Sequence, residues 1–239
     1  MSLRFPFVRP IPIAHRGAHG PDRHENSVDA IAHALALGAP GVEFDVSRLA
    51  DGTLVAWHDQ GIPGEGEATP PHPAGPEPVE SALEAIAPHD VCCVFDWKGM
   101  GEEGRIERLL RRYRLLDRTL VSSVYPPALA DLRREVPGLV TGLSFPACVW
   151  GSTPDLAETM LLLLRECGAS AAMLDLRLAR PGLARLLRTR GYGVFLWSAE
   201  DAGAYAEARG IPADGVMTDA IEEVLAATRP VAAGAGRRA

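Results

Sequence analysis

Lysine is nearly absent from this 239-residue chain: of its 24 basic residues, 23 are arginines and one, Lys98, is a lysine. Acidic residues number 31, which gives a formal net charge of −7. Nucleic-acid binding depends on neutralising phosphates, so an acidic chain without a basic stripe predicts no nucleic-acid partner. The single lysine marks a place to look for chemistry that arginine cannot supply.

Long apolar runs and cysteine frameworks are missing as well. No apolar run reaches the roughly 20 residues that a bilayer crossing needs, so we predict no transmembrane segment. The N-terminus is broken by Pro6, Pro10 and Pro12 and does not have the pattern of a signal peptide. Neither zinc nor disulfide spacing is found among the cysteines, which are Cys92, Cys93, Cys148 and Cys167. We therefore expect a cytoplasmic protein with free thiols; the oligomeric state stays unknown.

Short apolar runs alternate with helical patterns along the chain. Eight strands, each followed by a helix, are the count of an α/β protein with a (β/α)8 (TIM) barrel, although a doubly wound open sheet has the same alternation. We predict the barrel. Its expected strands are Ile11–Ala14, Val42–Val46, Val91–Trp97, Leu120–Ser123, Val140–Ser144, Ala171–Leu174, Val194–Trp197 and Gly215–Met217.

A short insertion is expected after the second barrel strand. Asp51 and Gly52 predict a tight turn, and Leu54–Trp57 returns as the second strand of a short β-hairpin. Gln60–Pro78, rich in glycine and proline, predicts a surface loop rather than a linker. We therefore predict a single domain over residues 1–239, with its core at about 11–227 and a flexible tail at 229–239.

The first predicted helix shows helical spacing of its apolar residues. Ser27 or Asn26 is the candidate N-cap, and Gly38 lies where the helix should stop. The predicted buried face consists of Val28, Ile31, Ala32 and Leu35.

Acidic residues lie on single faces of the second and third barrel strands. Because strand side chains alternate, Glu43 and Asp45 share one face, and Asp96 shares a face with Lys98. Three carboxylates that converge at a barrel mouth repel one another unless a cation joins them. Oxygen ligands without a nearby cysteine favour one divalent ion, Mg²⁺ or Ca²⁺.

Histidines and cations end the neighbouring extended segments. His15 and Arg16 follow the first strand, and His58 follows the hairpin strand. Two histidines beside a cation could divide general acid and base roles near neutral pH. Arg16 and Lys98 could hold an anion, so the combination indicates chemistry on a phosphate ester.

At these residues the chain strongly resembles the glycerophosphodiester phosphodiesterase family. The similarity spans about residues 11–225 and is most specific in the first 50 of them. Its motifs are Ile13–Gly17, Glu25–Ser27, Gly38–Val46, Asp51–Val55, His58-Asp59, Asp96–Lys98, Leu196–Ser198 and Asp214–Asp219.

The resemblance implies a TIM barrel that uses Mg²⁺ or Ca²⁺ to hydrolyse glycerophosphodiesters, which are small molecules, to glycerol phosphate and an alcohol. Carried over by motif, Glu43, Asp45 and Asp96 would ligate the metal, and Arg16 and Lys98 would bind the phosphate. His15 would be the base and His58 the acid.

Three further residues receive roles from the same resemblance. Glu25 and Asn26 would shape the site beneath the first loop. Trp197 would close an apolar wall near the leaving group, where it could contact a choline-like cation.

The chain departs from the family's pattern at several positions. Asp96 stands where a longer Glu is usual; a related sphingomyelinase D group has Asp-x-Lys there. Ser27 replaces a threonine, Leu49-Ala50 replaces Thr-Lys, and the closing motif ends at Ala220 without its proline. The Asp-x-Lys pattern leaves a second function open, phospholipase D-like or sphingomyelinase D-like action on lysophospholipid or sphingolipid head groups.

The residues themselves leave two more functions open. Barrels often carry a catalytic lysine at a strand end, so Lys98 could form a Schiff base in a lyase, although neighbouring carboxylates would keep its amine protonated. The barrel could also be catalytically inactive and merely bind a metal ion or a phosphate.

Overall fold

The computed structural model describes residues 10–58 and 75–228, and eight parallel strands within them close into a barrel. Closure is shown by the first barrel strand, which pairs in parallel with both the last and the second barrel strands. This confirms the predicted barrel over an open sheet. The strands are β1 (Ile11–Ala14), β2 (Gly41–Arg48), β5 (Cys92–Trp97), β6 (Thr119–Ser123), β7 (Val140–Phe145), β8 (Ala171–Asp175), β9 (Gly193–Ala199) and β10 (Gly215–Thr218).

An antiparallel extension follows β2, as predicted. β3 (Leu54–Ala56) pairs with the carboxyl end of β2, and β4 (Glu77–Pro78) adds a further strand, which the sequence did not predict. Most of the predicted Gly/Pro-rich loop, together with the predicted tail from residue 229, lies outside the described residues.

Helices connect the barrel strands and cover their outer faces. None of the helices in 10–58 and 75–228 has the length and apolar character of a membrane span. They are α1 (Val28–Ala36), α2 (Val79–Ile86), α3 (Glu103–Arg112), α4 (Pro126–Glu135), α5 (Ala147–Trp150), α6 (Leu156–Cys167), α7 (Pro181–Thr189), α8 (Ala202–Ala208) and α9 (Ile221–Thr228).

Helix α1 begins where the capping pattern predicted. The Ser27 hydroxyl accepts a hydrogen bond from the Ala30 amide at 3.1 Å, so Ser27 rather than Asn26 is the N-cap. Ile31 and Leu35 of the predicted face are buried, whereas Val28 is only half-buried and Ala30 is buried without having been predicted. The prediction for Ala32 is wrong: Ala32 is exposed, and Ala34 is buried in its place. The two positions differ by about 200° around the helix, so small alanines alone could not fix the direction of the face.

The core has two layers because each barrel strand points alternate side chains inward and outward. On β5, Cys92 belongs to the inner layer and Cys93 to the layer between sheet and helices. On β2, Val42, Phe44 and Val46 pack outward against the helices. The intervening positions of β2 therefore point inward, and two of them are acidic.

Candidate active site

The carboxyl ends of the barrel strands open into a cavity of about 310 Å³. Eight of the ten residues predicted for the site line it. They are His15 and Arg16 after β1, Glu43 and Asp45 in β2, His58 after β3, Asp96 and Lys98 at the end of β5, and Trp197 in β9.

Glu43, Asp45 and Asp96 form one carboxylate cluster. Each offers an oxygen within 4.8 Å of the oxygens of the other two. A divalent ion with oxygen ligands at about 2.1–2.4 Å holds those ligands no more than about 4.8 Å apart. The cluster could therefore bind a metal ion without rearrangement of the strands.

The charges in the cluster also favour a cation. Burial, together with the carboxylates of Asp45 and Asp96, raises the pKa of Glu43 well above its usual range. Burial would raise the pKa of Asp45 too, but Lys98 and Arg16 outweigh it and hold that pKa far below the usual range. Arg16 lowers the pKa of Glu43, but it does not offset burial and the two neighbouring carboxylates. A divalent ion would supply the positive charge that Glu43 lacks.

Lys98 lies between two members of the cluster. Its Nζ atom is 2.9 Å from Oδ1 of Asp45 and 2.5 Å from Oδ2 of Asp96. Burial alone would lower the pKa of Lys98, but the two carboxylates raise it well above its usual range. The ammonium form is therefore strongly preferred, and the Schiff-base function is not favoured because it needs a neutral amine.

Arg16 connects the first loop to the cluster. Its Nη1 atom donates to both oxygens of Glu25, at 2.8 and 2.9 Å, and its Nε atom lies 3.1 Å from Oδ2 of Asp45. The backbone amide of Arg16 donates to Oε2 of Glu43 at 2.9 Å. Arg16 itself has a φ of +56°. The loop therefore fixes both the guanidinium and one carboxylate of the cluster.

Asn26 holds Asp45 from outside the cavity lining. Its Nδ2 atom donates to Oδ2 of Asp45 at 2.9 Å, and its Oδ1 atom accepts from the Asp45 amide at 2.8 Å. Asn26 is buried and has a φ of +61°, a conformation that asparagine tolerates better than most residues. Glu25 and Asn26 thus contact site residues instead of lining the cavity themselves.

The side chain of His15 is oriented by Asp219, which directly follows the last barrel strand, β10. Nδ1 of His15 lies 2.7 Å from Oδ1 of Asp219, which also lies 3.2 Å from Nε2 of His19. Burial would raise the pKa of Asp219, but these two histidines lower it well below the usual range. An ionised Asp219 accepts a hydrogen bond from the Nδ1–H group of His15, which in the neutral imidazole leaves the lone pair on Nε2, the atom 3.9 Å from Oε2 of Glu43.

His58 reaches the cavity from the antiparallel extension. The preceding residue, Trp57, is tied to β2 because its amide donates to the Asp45 carbonyl at 3.0 Å and its carbonyl accepts from Ser47 Oγ at 2.8 Å. Burial lowers the pKa of His58; Asp45 opposes this shift, and Lys98 adds to it. The free protein therefore favours the neutral imidazole over the imidazolium form.

The opposite wall of the cavity comes from β7 to β10. Trp197 lies there with Met173 and Met217, while Arg177 and Glu200 stand at the exposed edge. Arg177 forms an ion pair with Asp175, its Nη2 atom lying 2.6 Å from Oδ2. This half is more apolar than the half that carries the carboxylates.

Sequence reasoning gave no role to Ser122, His19 or Asp219. Ser122 lines the cavity and donates to Oδ1 of Asp96 at 2.5 Å. Its position at the end of a predicted strand was a usable signal. The pairing of Asp219 with His15 was not, because 204 residues separate the two along the chain.

The fold and the site together define a class: a (β/α)8 barrel that could hold a metal ion and an anion at its carboxyl-terminal rim. The sequence profile of the Glycerophosphoryl diester phosphodiesterase family matches residues 15–64, the segment that contains both histidines and two of the three carboxylates. In this segment the chain is similar to that family.

Two curated relatives are glycerophosphodiester phosphodiesterases. A glycerophosphodiester phosphodiesterase of Caldanaerobacter subterraneus subsp. tengcongensis is 24% identical over 91% of this chain and 97% of its own length. The human glycerophosphodiester phosphodiesterase 1 is 28% identical over 55% of this chain and 48% of its own length.

Solved structures share the fold. A Parabacteroides distasonis glycerophosphodiester phosphodiesterase matches with a TM-score of 0.72 at 21% identity, covering 91% of this chain and 95% of its own. An Oleispira antarctica phosphodiesterase matches with a TM-score of 0.72 at 20% identity, covering 91% and 96%; that structure is a complex with the product sn-glycerol-3-phosphate.

Proposed function

We propose that this protein hydrolyses glycerophosphodiesters to glycerol phosphate and an alcohol in a reaction that depends on a divalent cation. The observation that carries the proposal is the union, in one cavity, of the carboxylate cluster with Arg16, Lys98 and two histidines. The Oleispira antarctica phosphodiesterase binds sn-glycerol-3-phosphate as its product, which supports glycerol phosphate as the phosphorylated product here.

The cation is proposed to be one Mg²⁺ or Ca²⁺ ion held by Glu43, Asp45 and Asp96. These residues fit because they offer three buried or half-buried carboxylates with compatible spacing. A divalent ion supplies charge stabilisation for phosphoryl oxygens as negative charge develops on them. Asn26 and Glu25 keep Asp45 and Arg16 in place through the contacts described above.

Arg16 and Lys98 are proposed to bind the phosphate. Both cations line the cavity beside the carboxylate cluster. A guanidinium has five N–H donors, so the bonds from its Nη1 atom to Glu25 leave others for an anion. The Lys98 ammonium has three, of which the two carboxylates beside it take two.

His15 is proposed as the general base. With Nδ1 bonded to Asp219, its Nε2 lone pair can take the proton of the attacking substrate hydroxyl. The oxygen–phosphorus bond then forms while the bond from phosphorus to the leaving alcohol breaks, which leaves a cyclic phosphodiester of glycerol. A water molecule must then attack phosphorus and open this ring to give glycerol phosphate.

His58 is proposed as the general acid that protonates the departing alkoxide. Its lowered pKa in the free protein means that the acid role requires bound substrate: a phosphodiester anion beside the ring would favour the imidazolium form. The assignment therefore predicts that His58 gains its proton in the complex rather than before it.

The apolar wall is proposed to face the alcohol. Trp197 offers an aromatic surface to a choline-like cation. Glu200, at the exposed edge of the same wall, adds a negative charge that favours such a cation.

The remaining assignments complete the proposal. The single closed barrel supports the proposal of one domain over residues 1–239. The four free thiols support the proposal of a cytoplasmic location. An inactive binding barrel is less favoured, because both histidines and the complete carboxylate cluster line one cavity. Lysophospholipid or sphingolipid head groups are less favoured, because the relatives are glycerophosphodiester phosphodiesterases.

Leaving-group chemistry separates the two histidines experimentally. Glycerophosphocholine releases a basic alkoxide that needs a proton, whereas a p-nitrophenyl ester of glycerol phosphate releases a stable anion that does not. We expect His58→Ala to lose about 100-fold or more in kcat on glycerophosphocholine and to retain most activity on the nitrophenyl ester. His15→Ala should lose activity on both.

His89→Ala is the matched control, because His89 is an exposed histidine before the amino end of β5, whereas the site lies at the carboxyl ends of the strands. Equal losses for both substrates in both site variants would reject the division into base and acid. Wild-type rates in both would reject the proposed roles altogether.

A further inference from the structure

Ser122 and Asp96 occupy matching positions on neighbouring parallel strands. In the register of β5 with β6, Asp96 pairs with Ser122, so their side chains emerge on the same side of the sheet. Ser122 is 2% exposed, and its hydroxyl donates to Oδ1 of Asp96 at 2.5 Å.

Both oxygens of Asp96 consequently have a donor. Ser122 serves Oδ1, and the Lys98 ammonium lies 2.5 Å from Oδ2. Two donors on opposite oxygens fix the rotation of the carboxylate plane. A carboxylate has about four lone-pair sites, so each oxygen still keeps one for a cation.

Aspartate is one methylene shorter than glutamate, so its carboxylate reaches less far from the strand and depends more on correct orientation. We propose that Ser122 is a positioning residue that holds the short Asp96 side chain in the orientation needed to ligate the divalent cation. This inference rests on the proposed metal site and adds to it a residue that acts through Asp96.

A hydroxyl suits this position for an electrostatic reason. It donates a hydrogen bond without adding a positive charge beside the cation, whereas a second cation at residue 122 would oppose metal binding. Lys98 cannot do the same work alone, because its ammonium is shared with Asp45.

The test is a titration of the protein with Mn²⁺, in which the free ion is measured by its electron paramagnetic resonance signal. This measurement needs no substrate turnover. We expect wild type to bind one Mn²⁺ and Ser122→Ala to bind it about 10- to 100-fold more weakly, the usual cost of losing a group that orients a ligand. Ser122→Cys keeps the shape with a weaker donor and should fall between the two, which also tests the inference if the alanine variant does not fold.

Ser123→Ala is the matched control. Its hydroxyl is fully buried and donates to the Trp97 carbonyl at 2.7 Å, on a neighbouring position of the same strand. Mn²⁺ affinity in this variant should equal that of wild type. If Ser122→Ala and Ser122→Cys also equal wild type, the positioning role is wrong.

Lengthening the carboxylate gives the decisive comparison. With Glu at position 96, the longer side chain reaches the cluster without Ser122, so adding Ser122→Ala to Asp96→Glu should cost less than about twofold. A loss as large as in the Asp96 background would mean that Ser122 binds the ion itself and would overturn the positioning role.

The inference and the proposed function fail differently. A wild-type protein that binds no Mn²⁺ would overturn both. Weakened binding in Asp96→Asn with normal binding in Ser122→Ala would overturn the role of Ser122 alone and leave the metal site standing.

Discussion

The imidazole of His15 is held by Asp219, whose Oδ1 atom lies 2.7 Å from Nδ1 across the junction between the first and last barrel strands. The junction is stable because β1 pairs directly with β10 and the His15 amide donates to the Thr218 carbonyl at 3.1 Å. Barrel closure therefore places the proposed base.

Asp219→Asn should reduce kcat while leaving KM for glycerophosphocholine nearly unchanged. An amide can present its oxygen or its NH₂ group to Nδ1, so the ring loses its fixed tautomer. General base catalysis contributes about 10²–10⁴-fold, and we expect a loss of at least about tenfold. His19→Gln removes the other partner of Asp219 and serves as the control, with a loss of less than about threefold. A fall of equal size in both variants would argue against a specific orienting role.

Lys98→Arg should be costly although it conserves charge. A single ammonium nitrogen contacts both Asp45 and Asp96, and a larger planar guanidinium cannot reproduce this arrangement. We expect kcat/KM to fall at least about 100-fold, comparable to losing an electrostatic contact of the transition state. The control is Arg48→Lys, because Arg48 is an exposed residue. In this variant kcat/KM should stay at the wild-type value. Near-normal activity in Lys98→Arg would show the single lysine to be incidental.

Gly17→Ala should disrupt the loop that carries Arg16. Gly17 has a φ of +81°, and an added Cβ would lie 2.6 Å from the Ala30 carbonyl carbon in helix α1. Left-handed backbone alone costs about 1–2 kcal/mol for an L-residue, and the clash adds to it. We expect the free energy of unfolding to drop by more than about 2 kcal/mol in urea titrations.

Gly20→Ala gives the comparison for that change, since Gly20 has open space around it. It should alter stability by less than about 0.5 kcal/mol. Similar stabilities for the two alanine variants would contradict the described close approach of the loop to α1.

Divalent cations should stabilise the folded protein. The cluster of Glu43, Asp45 and Asp96 exists only when the strands are assembled, so the ion binds the native state preferentially. At a free concentration of 100 times Kd, the gain is about 2.7 kcal/mol, which thermal unfolding in Mg²⁺ or Ca²⁺ would reveal as a higher Tm. In Asp96→Asn the rise should shrink. An equal rise in both proteins would place the binding elsewhere.

The sequence predicted the barrel and most of its site because both follow from alternation within strands. Glu43 and Asp45 share the inward face of β2 simply by being two residues apart. Local rules also placed the Ser27 cap and the hairpin after β2.

What the sequence could not supply are relationships set by tertiary structure. The two hydrogen bonds between Asn26 and Asp45 depend on the positive φ of Asn26. The hydrogen bond from Ser122 to Asp96 depends on the register of β5 with β6. The two-residue strand β4 is too short to show the apolar–polar alternation of a strand. Its extended conformation is stabilised by its pairing with β3 instead.

The most direct test of the proposed activity is ³¹P nuclear magnetic resonance of glycerophosphocholine incubated with the wild-type protein and Mg²⁺ or Ca²⁺. The expected result is conversion of the phosphodiester signal into that of glycerol phosphate, abolished by EDTA and restored by added cation. A phosphodiester signal that persists for both this substrate and glycerophosphoethanolamine, or one that disappears equally fast in EDTA, would contradict a cation-dependent glycerophosphodiesterase.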